Sequence, residues 1–266
     1  MATSTDMLQP VQERGWQSGF KNLWWKENNL RWGGRRWILP AIVWLALLNG
    51  FVVLIALAAK LDPSMTGQDV ALMAIGVFVG MGFFASSIGI VIGAQGAIIR
   101  EKQLGTAAWV LSKPASRNAF VLSKWLAYSI SSLILSLVLP AVVFLAQSQF
   151  FWGRIPVLVP FLAAFSIMVL HLQFYLALAL MLGTLFQARG IVTGISLGFL
   201  LLGSLLTTVL PSWISMLTPW SLQELANMVS VGGPLPGGWQ IPVIATALWI
   251  PIFMGIALWR FGREEF

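Results

Sequence analysis

The 266-residue chain is 58% hydrophobic and only 9% charged, carries a net charge of +7 and contains no cysteine. So little polar surface cannot cover a water-soluble core of this size, which excludes an ordinary soluble domain and places the chain in a bilayer. The lack of cysteine excludes disulfides and thiolate metal sites, and the sequence offers no metal site of another kind.

Residues 1–15 are polar and aperiodic, the composition of a disordered segment. Trp16, Phe20, Leu23, Trp24 and Leu30 then fall within about 120° of one another on a helical wheel, with Lys21, Asn22, Lys26 and Asn29 outside that arc. The pattern predicts an amphipathic interfacial helix over 16–34, lying on the inner leaflet. Glu27 and Arg31 interrupt the apolar arc and Trp25 stands opposite it, exceptions that fit contacts with other protein segments. Gly33 and Gly34 supply the bend from lying along the surface to crossing it. The first apolar run begins after 36 residues and is long enough to remain as a helix, unlike a cleavable signal.

Residues 35–266 read as one membrane domain. Crossing about 30 Å of hydrocarbon takes roughly 20 apolar residues in a helix. Six runs qualify, at 37–59, 70–99, 125–150, 157–186, 191–213 and 241–259, and none contains Asp, Glu, Lys or Arg. The period-two alternation of a membrane barrel is missing, so the expected fold is all-α with six transmembrane helices. Loop charges orient them: fourteen Lys and Arg fall on the side of the N terminus, and only Lys60 and Arg154 on the other. That asymmetry predicts cytosolic termini, and facing anionic lipid headgroups accounts for the pI of about 10.4 without nucleic acid. Trp37, Trp125, Trp152, Trp213, Trp220, Trp239 and Trp259 stand at span ends, as interfacial anchors do.

A continuous helix over 70–99 would be about 45 Å long and would project roughly 10 Å beyond the hydrocarbon. The loop 100–124 follows, with Glu101 between Arg100 and Lys102. Gly105 permits a bend or a close approach, Trp109, Val110 and Leu111 form an apolar docking face, and Pro114 stops the helix. Ser116 is placed to cap the run from Arg117 to Lys124. A rigid short helix of this kind can pass on a push from a partner.

In the fourth span His171, the only histidine, sits near Gln173; with no carboxylate in any span, an interhelical hydrogen bond is the expected role. Gly190, Gly194 and Gly198 repeat at four-residue spacing, as do Gly76 with Gly80 and Gly89 with Gly93. Such spacing lets helices approach closely, within the chain or across a dimer seam. The segment 211–240 is too long for a turn and reads as an outer re-entrant segment. Ser221 and Glu224 have capping-box spacing, Leu222, Leu225, Ala226 and Val229 share one face, and Gly232-Gly233-Pro234 ends the helix. It is expected at outer-leaflet depth against spans five and six.

Glu101, Gly105-Thr106, Leu111-Ser112, Pro114 and Ser116-Arg117, followed by Lys124, resemble the E…GT…LS.P.SR…K pattern of permease subunits in the ABC-2 family of type-2 ABC exporters. The amphipathic first helix, six spans, inside termini and short helix before the last span extend the resemblance over nearly the whole chain. It implies that 100–117 is a coupling helix seated in a separate ATP-binding subunit, present in two copies, with Trp109 filling a pocket there. It implies a second permease chain, most simply as a homodimer, with ATP and Mg held by the partner subunit. Glu101 would tie the coupling region to the basic first helix, and Ser221, Leu222, Glu224, Leu225 and Val229 would form an outer gate. The setting implied is the plasma or inner membrane of a prokaryote, with export as the direction.

Other classes fit less well. There is no HExxH, no GxSxG and no intramembrane acid pair, and Asp occurs only at 6, 62 and 69, which leaves an enzyme without chemistry. The GxxxxGK[ST] loop is absent, so this chain cannot hydrolyse ATP by that mechanism. An ion-coupled carrier would normally show charge in its spans. A membrane scaffold or immunity protein without transport activity remains a competing reading.

Overall fold

The computed structural model describes residues 15, 18–62, 66–107, 115–207 and 209–264. Every element among them is helical. The expected disorder of 1–15 falls almost wholly outside the described residues, as do Trp16, Trp109, Leu111, Ser112 and Pro114.

Helix α1 (Phe20–Trp32) stops at Gly33, where a β-carbon would fall 2.3 Å from the Asn29 carbonyl oxygen, and Gly34 turns the chain with φ +66°. Then follow α2 (Ile38–Leu61) and α3 (Gly67–Ala94), the latter capped by the Thr66 hydroxyl, which accepts from the Asp69 amide at 3.2 Å. A turn over 95–98 leads to the one-turn helix α4 (Ile99–Gln103). Helix α5 (Arg117–Trp152) contains a π stretch, Leu133–Val138, just ahead of Pro140. A proline inside a helix has no N–H for the carbonyl four residues back, and local widening of the turn relieves that conflict. The Pro140 carbonyl also accepts from Asn49 Nδ2 of α2 at 3.0 Å, joining α2 to α5. Beyond α5 come α6 (Leu158–Leu185), α7 (Arg189–Leu206), the short α8 (Ser212–Met216), a 3₁₀ turn (Pro219–Ser221), α9 (Leu222–Ser230) and α10 (Gln240–Gly262).

Five helical stretches among the described residues, Ile38–Leu61, Gly67–Gln103, Arg117–Trp152, Leu158–Leu185 and Gln240–Gly262, are long and apolar enough to cross a membrane. The chain is a multi-pass membrane protein. Helix α6 is its mast, packed by α10, α9 and α3, with every residue from Phe174 to Thr184 buried. Phe78, Phe144 and Phe161 stack at centroid distances of 4.4 and 5.7 Å and join α3, α5 and α6.

Two expected spans end differently in the structure. The run 70–99 does not continue as a straight projecting rod: α3 ends at Ala94 and the turn, closed by the Ala97 amide on the Ala94 carbonyl at 2.9 Å, folds Ile98 and Ile99 into full burial. Burying two isoleucines outweighs extending a helix into water. The run 191–213 gives an 18-residue helix that stops at Leu206, because Pro211 cannot continue the ladder.

Candidate functional site

At the basic end of the bundle the first turn of α5 is set by Ser116, whose Oγ accepts from the Ala119 amide at 3.0 Å, the cap expected from sequence. Phe120, Lys124 and Tyr128 then recur every fourth residue on one face of α5. Leu23, Glu27 and Arg31 do the same on α1, which packs along that face. The rungs match in order: Glu27 meets Lys124, and the Arg31 guanidinium lies 3.2 Å from the centre of the Tyr128 ring. The two helices therefore run side by side in the same direction.

The Lys124 ammonium is the hub. It donates to Glu27 Oε1 and to Glu101 Oε1, each at 2.6 Å, and sits 4.8 Å from the Phe120 ring, which stacks on Phe261 of α10. Lys26 closes the set, 3.2 Å from Glu101 Oε1. Lys124 and Glu27 keep 2% and 8% side-chain exposure, Glu101 14% and Lys26 40%. Two ammoniums balance two carboxylates, the condition for leaving such charges out of water, where an unpaired one costs several kcal/mol.

Helix α4 is held from its other side by Lys102, 2.7 Å from Glu264 Oε1 after α10, and by Gln103, whose Nε2 donates to the Gln187 carbonyl at 3.0 Å. Gly105 takes φ +69° just beyond it, and the Thr106 hydroxyl donates back to the Glu101 carbonyl at 3.2 Å. Arg117 donates to the Gly262 carbonyl at 2.7 Å. The segment after the second span thus ties α1, α5, α6 and α10 together. What it can do chemically is hold position and pass on displacement.

Of the residues singled out from sequence, Glu101, Gly105, Thr106, Ser116 and Arg117 gather here, and Glu101 does pair with the first helix through Lys26. Sequence reasoning missed Glu27, Lys102 and Glu264 as members. Glu27 did leave a signal, an acid inside an otherwise apolar arc. The expected face of α1 shifts accordingly: Leu23 is buried and Phe20 and Trp24 are half-buried, but Leu30 is exposed. Its inner stripe packs on α5 rather than lying free for a leaflet.

The outer helix differs from expectation in two respects. Ser221 belongs to the 3₁₀ turn and is already helical, so its hydroxyl donates to the Ser215 carbonyl at 3.2 Å and caps nothing; the capping box with Glu224, which is exposed, does not form. Leu222, Leu225 and Ala226 are buried and Val229 half-buried, yet they pack chiefly on α6 and α3, the fourth and second spans, not on spans five and six. The 3₁₀ turn occupies the place beside α7 and α10 instead.

His171 makes the expected interhelical contact, its Nδ1 2.9 Å from the Ser87 hydroxyl of α3. Among the described residues no atom lies within 4 Å of where a β-carbon would stand at Gly190, Gly194 or Gly198, so packing among those residues does not depend on their small size. Gly89 does serve close approach: the Trp44 ring lies 2.4 Å from its absent β-carbon.

A family model, DUF2705, described as a protein of unknown function, matches residues 39–266, from the start of α2 onward. No curated protein matches the chain.

Proposed function

The chain belongs to the DUF2705 family, and we propose that it is the transmembrane permease subunit of an ATP-driven exporter resembling the ABC-2 class. In this reading two copies form the pathway, and two separate ATP-binding subunits, which carry ATP and Mg, dock at the basic end. Helix α7 serves as a sixth, short span. Both termini then face the cytosol of a prokaryotic cell, where the basic residues meet anionic headgroups. The observation that carries the proposal is the buried ion network of Glu27, Lys124, Glu101 and Lys26. It joins the segment after the second span to the first helix and the third span, so a push on the loop 100–117 reaches three elements at once.

Affinity purification in mild detergent tests this. The expected result is co-purification of an ATP-binding chain, whose hydrolysis the permease stimulates. Glu101→Ala and Trp109→Ala are expected to weaken that stimulation and transport while leaving membrane insertion intact; an anchoring aromatic can carry about 2 kcal/mol or more of association. ATP hydrolysis by the purified chain alone, or recovery of the chain with no ATPase partner, overturns the reading; the latter is the outcome expected of a scaffold.

A further inference from the structure

A cavity of about 410 Å³ lies on the basic end beside the ion network, walled by α1, α2, α3 and α5. Its rim carries Arg31, Arg36 and Tyr128, and none of the described residues lining it is acidic. Neither arginine makes an ion pair among the described residues, and Arg31 Nε is buried without a hydrogen-bond partner. The nearest carboxylate along α1, Glu27, is already neutralised by Lys124. Positive charge is therefore left over here, while the neighbouring network balances.

The cavity also has a direction. On α2 it runs from Trp37 at the start of the apolar span to Trp44, and on α5 from Tyr128 to Ser136, a depth of about 10 Å at 1.5 Å per residue. The deeper part is apolar, with Trp44, Ile90 and Leu135. The hydroxyls of Ser132 and Ser136 are spent on carbonyls of the preceding turn, at 2.6 and 2.7 Å, so the depth presents no free polar donor from them. That wall includes the π stretch, whose widened turn shapes the recess. A cationic, aromatic mouth at the edge of the apolar zone over an apolar shaft fits one kind of molecule.

We propose that this cavity binds an anionic phospholipid, its phosphate held by the Arg31 and Arg36 guanidiniums and the start of an acyl chain lying toward Trp44 and Leu135. Guanidinium forks bind phosphate oxygens by charge-assisted hydrogen bonds. The bound lipid would pin the α1–α2 elbow against α5. The inference does not rest on the permease reading and survives its failure.

Native mass spectrometry of the full chain in mild detergent, titrated with phosphatidylglycerol, phosphatidylcholine or inorganic phosphate, tests it. Phosphatidylglycerol is expected to bind about tenfold more tightly than phosphatidylcholine, which carries the same phosphate but offsets it with a choline cation that the surplus positive charge of the rim repels. Inorganic phosphate at a hundredfold excess should not displace it. Arg36→Gln removes one contact on an exposed residue. Gly93→Leu fills the cavity without changing charge, since a β-carbon at Gly93 meets nothing within 4 Å. Each is expected to weaken phosphatidylglycerol binding about tenfold, with wild-type thermal unfolding. Unchanged binding in Gly93→Leu means the lipid sits elsewhere and overturns the proposal. Equal binding of the two lipids, or displacement by inorganic phosphate, overturns the lipid assignment.

Discussion

Each end of the bundle holds a short helix against it, and the two ends do so by opposite means. At the basic end α4 is fixed by ion pairs, Glu101 to Lys124 and Lys26 and Lys102 to Glu264. At the other end α9 is fixed by Leu222, Leu225 and Ala226 sunk against α6 and α3. Apolar burial is non-directional and is lost gradually, methyl by methyl. A buried ion network specifies geometry and fails abruptly, because removing one member strands the others.

The largest expected effect comes from the hub. Lys124→Ala leaves the buried Glu27 without a cation and Glu101 with only the part-exposed Lys26, and should cost about 3–5 kcal/mol, read as thermal unfolding in detergent. Replacing the core of the network together, Lys124→Met with Glu27→Leu and Glu101→Leu, should recover most of that loss, because apolar residues of similar volume often replace buried ion sets at little cost. A triple variant as unstable as the single one would show that shape, not charge, holds α4.

At the opposite end the loss should be graded. Leu225→Ala is expected to cost about 2–4 kcal/mol as a buried leucine truncation, and Leu225→Lys should lift α9 off the bundle. Because the chain has no cysteine, single cysteines report this directly. Labelling by a membrane-impermeant thiol reagent should be slow at Leu222 and Leu225 and fast at Glu224 and Gly237. Equal labelling at all four would make α9 an open loop and dissolve the contrast between the two ends.

The two ends also differ in how legible they were. The all-helical, membrane-spanning character was legible, since apolar run length and breaker residues are local properties of the chain. The end of α3 was not legible: Gln95-Gly96 permits a turn, but what folds the chain there is burial of Ile98 and Ile99 against helices distant in sequence. The capping-box spacing at Ser221 misled for a similar reason, because Pro219 starts a 3₁₀ turn one step earlier and uses that residue. In the ion network Glu101 stood out within a dense basic loop, whereas Lys124 drew notice only as the end of a pattern. Glu264 carried no sign at all, since its partner Lys102 is set by the path of α4.

A smaller effect is expected midway between the ends. Ser87→Ala removes the hydroxyl facing His171 Nδ1 between α3 and α6. Interhelical hydrogen bonds in membranes average about 0.6 kcal/mol, so this variant should unfold close to wild type. A loss of several kcal/mol would mean that the seam between α3 and α6 depends on polar contact as the basic end does.

Lys26 draws the line within the ion network itself. It touches the same carboxylate as Lys124, at 3.2 Å rather than 2.6 Å, but keeps 40% of its side chain in solvent. Water and salt screen an ammonium in that position, and exposed ion pairs contribute about 0.2–1 kcal/mol. Lys26→Ala should therefore cost at most about 1 kcal/mol, and raising the salt concentration should shrink the difference from wild type further. The cost of Lys124→Ala should stay nearly unchanged by salt, since its charge is buried. Two lysines on one glutamate then separate by burial alone. If Lys26→Ala matched Lys124→Ala in size and in salt response, the network would be a surface cluster, and the abrupt failure expected of the basic end would have no basis.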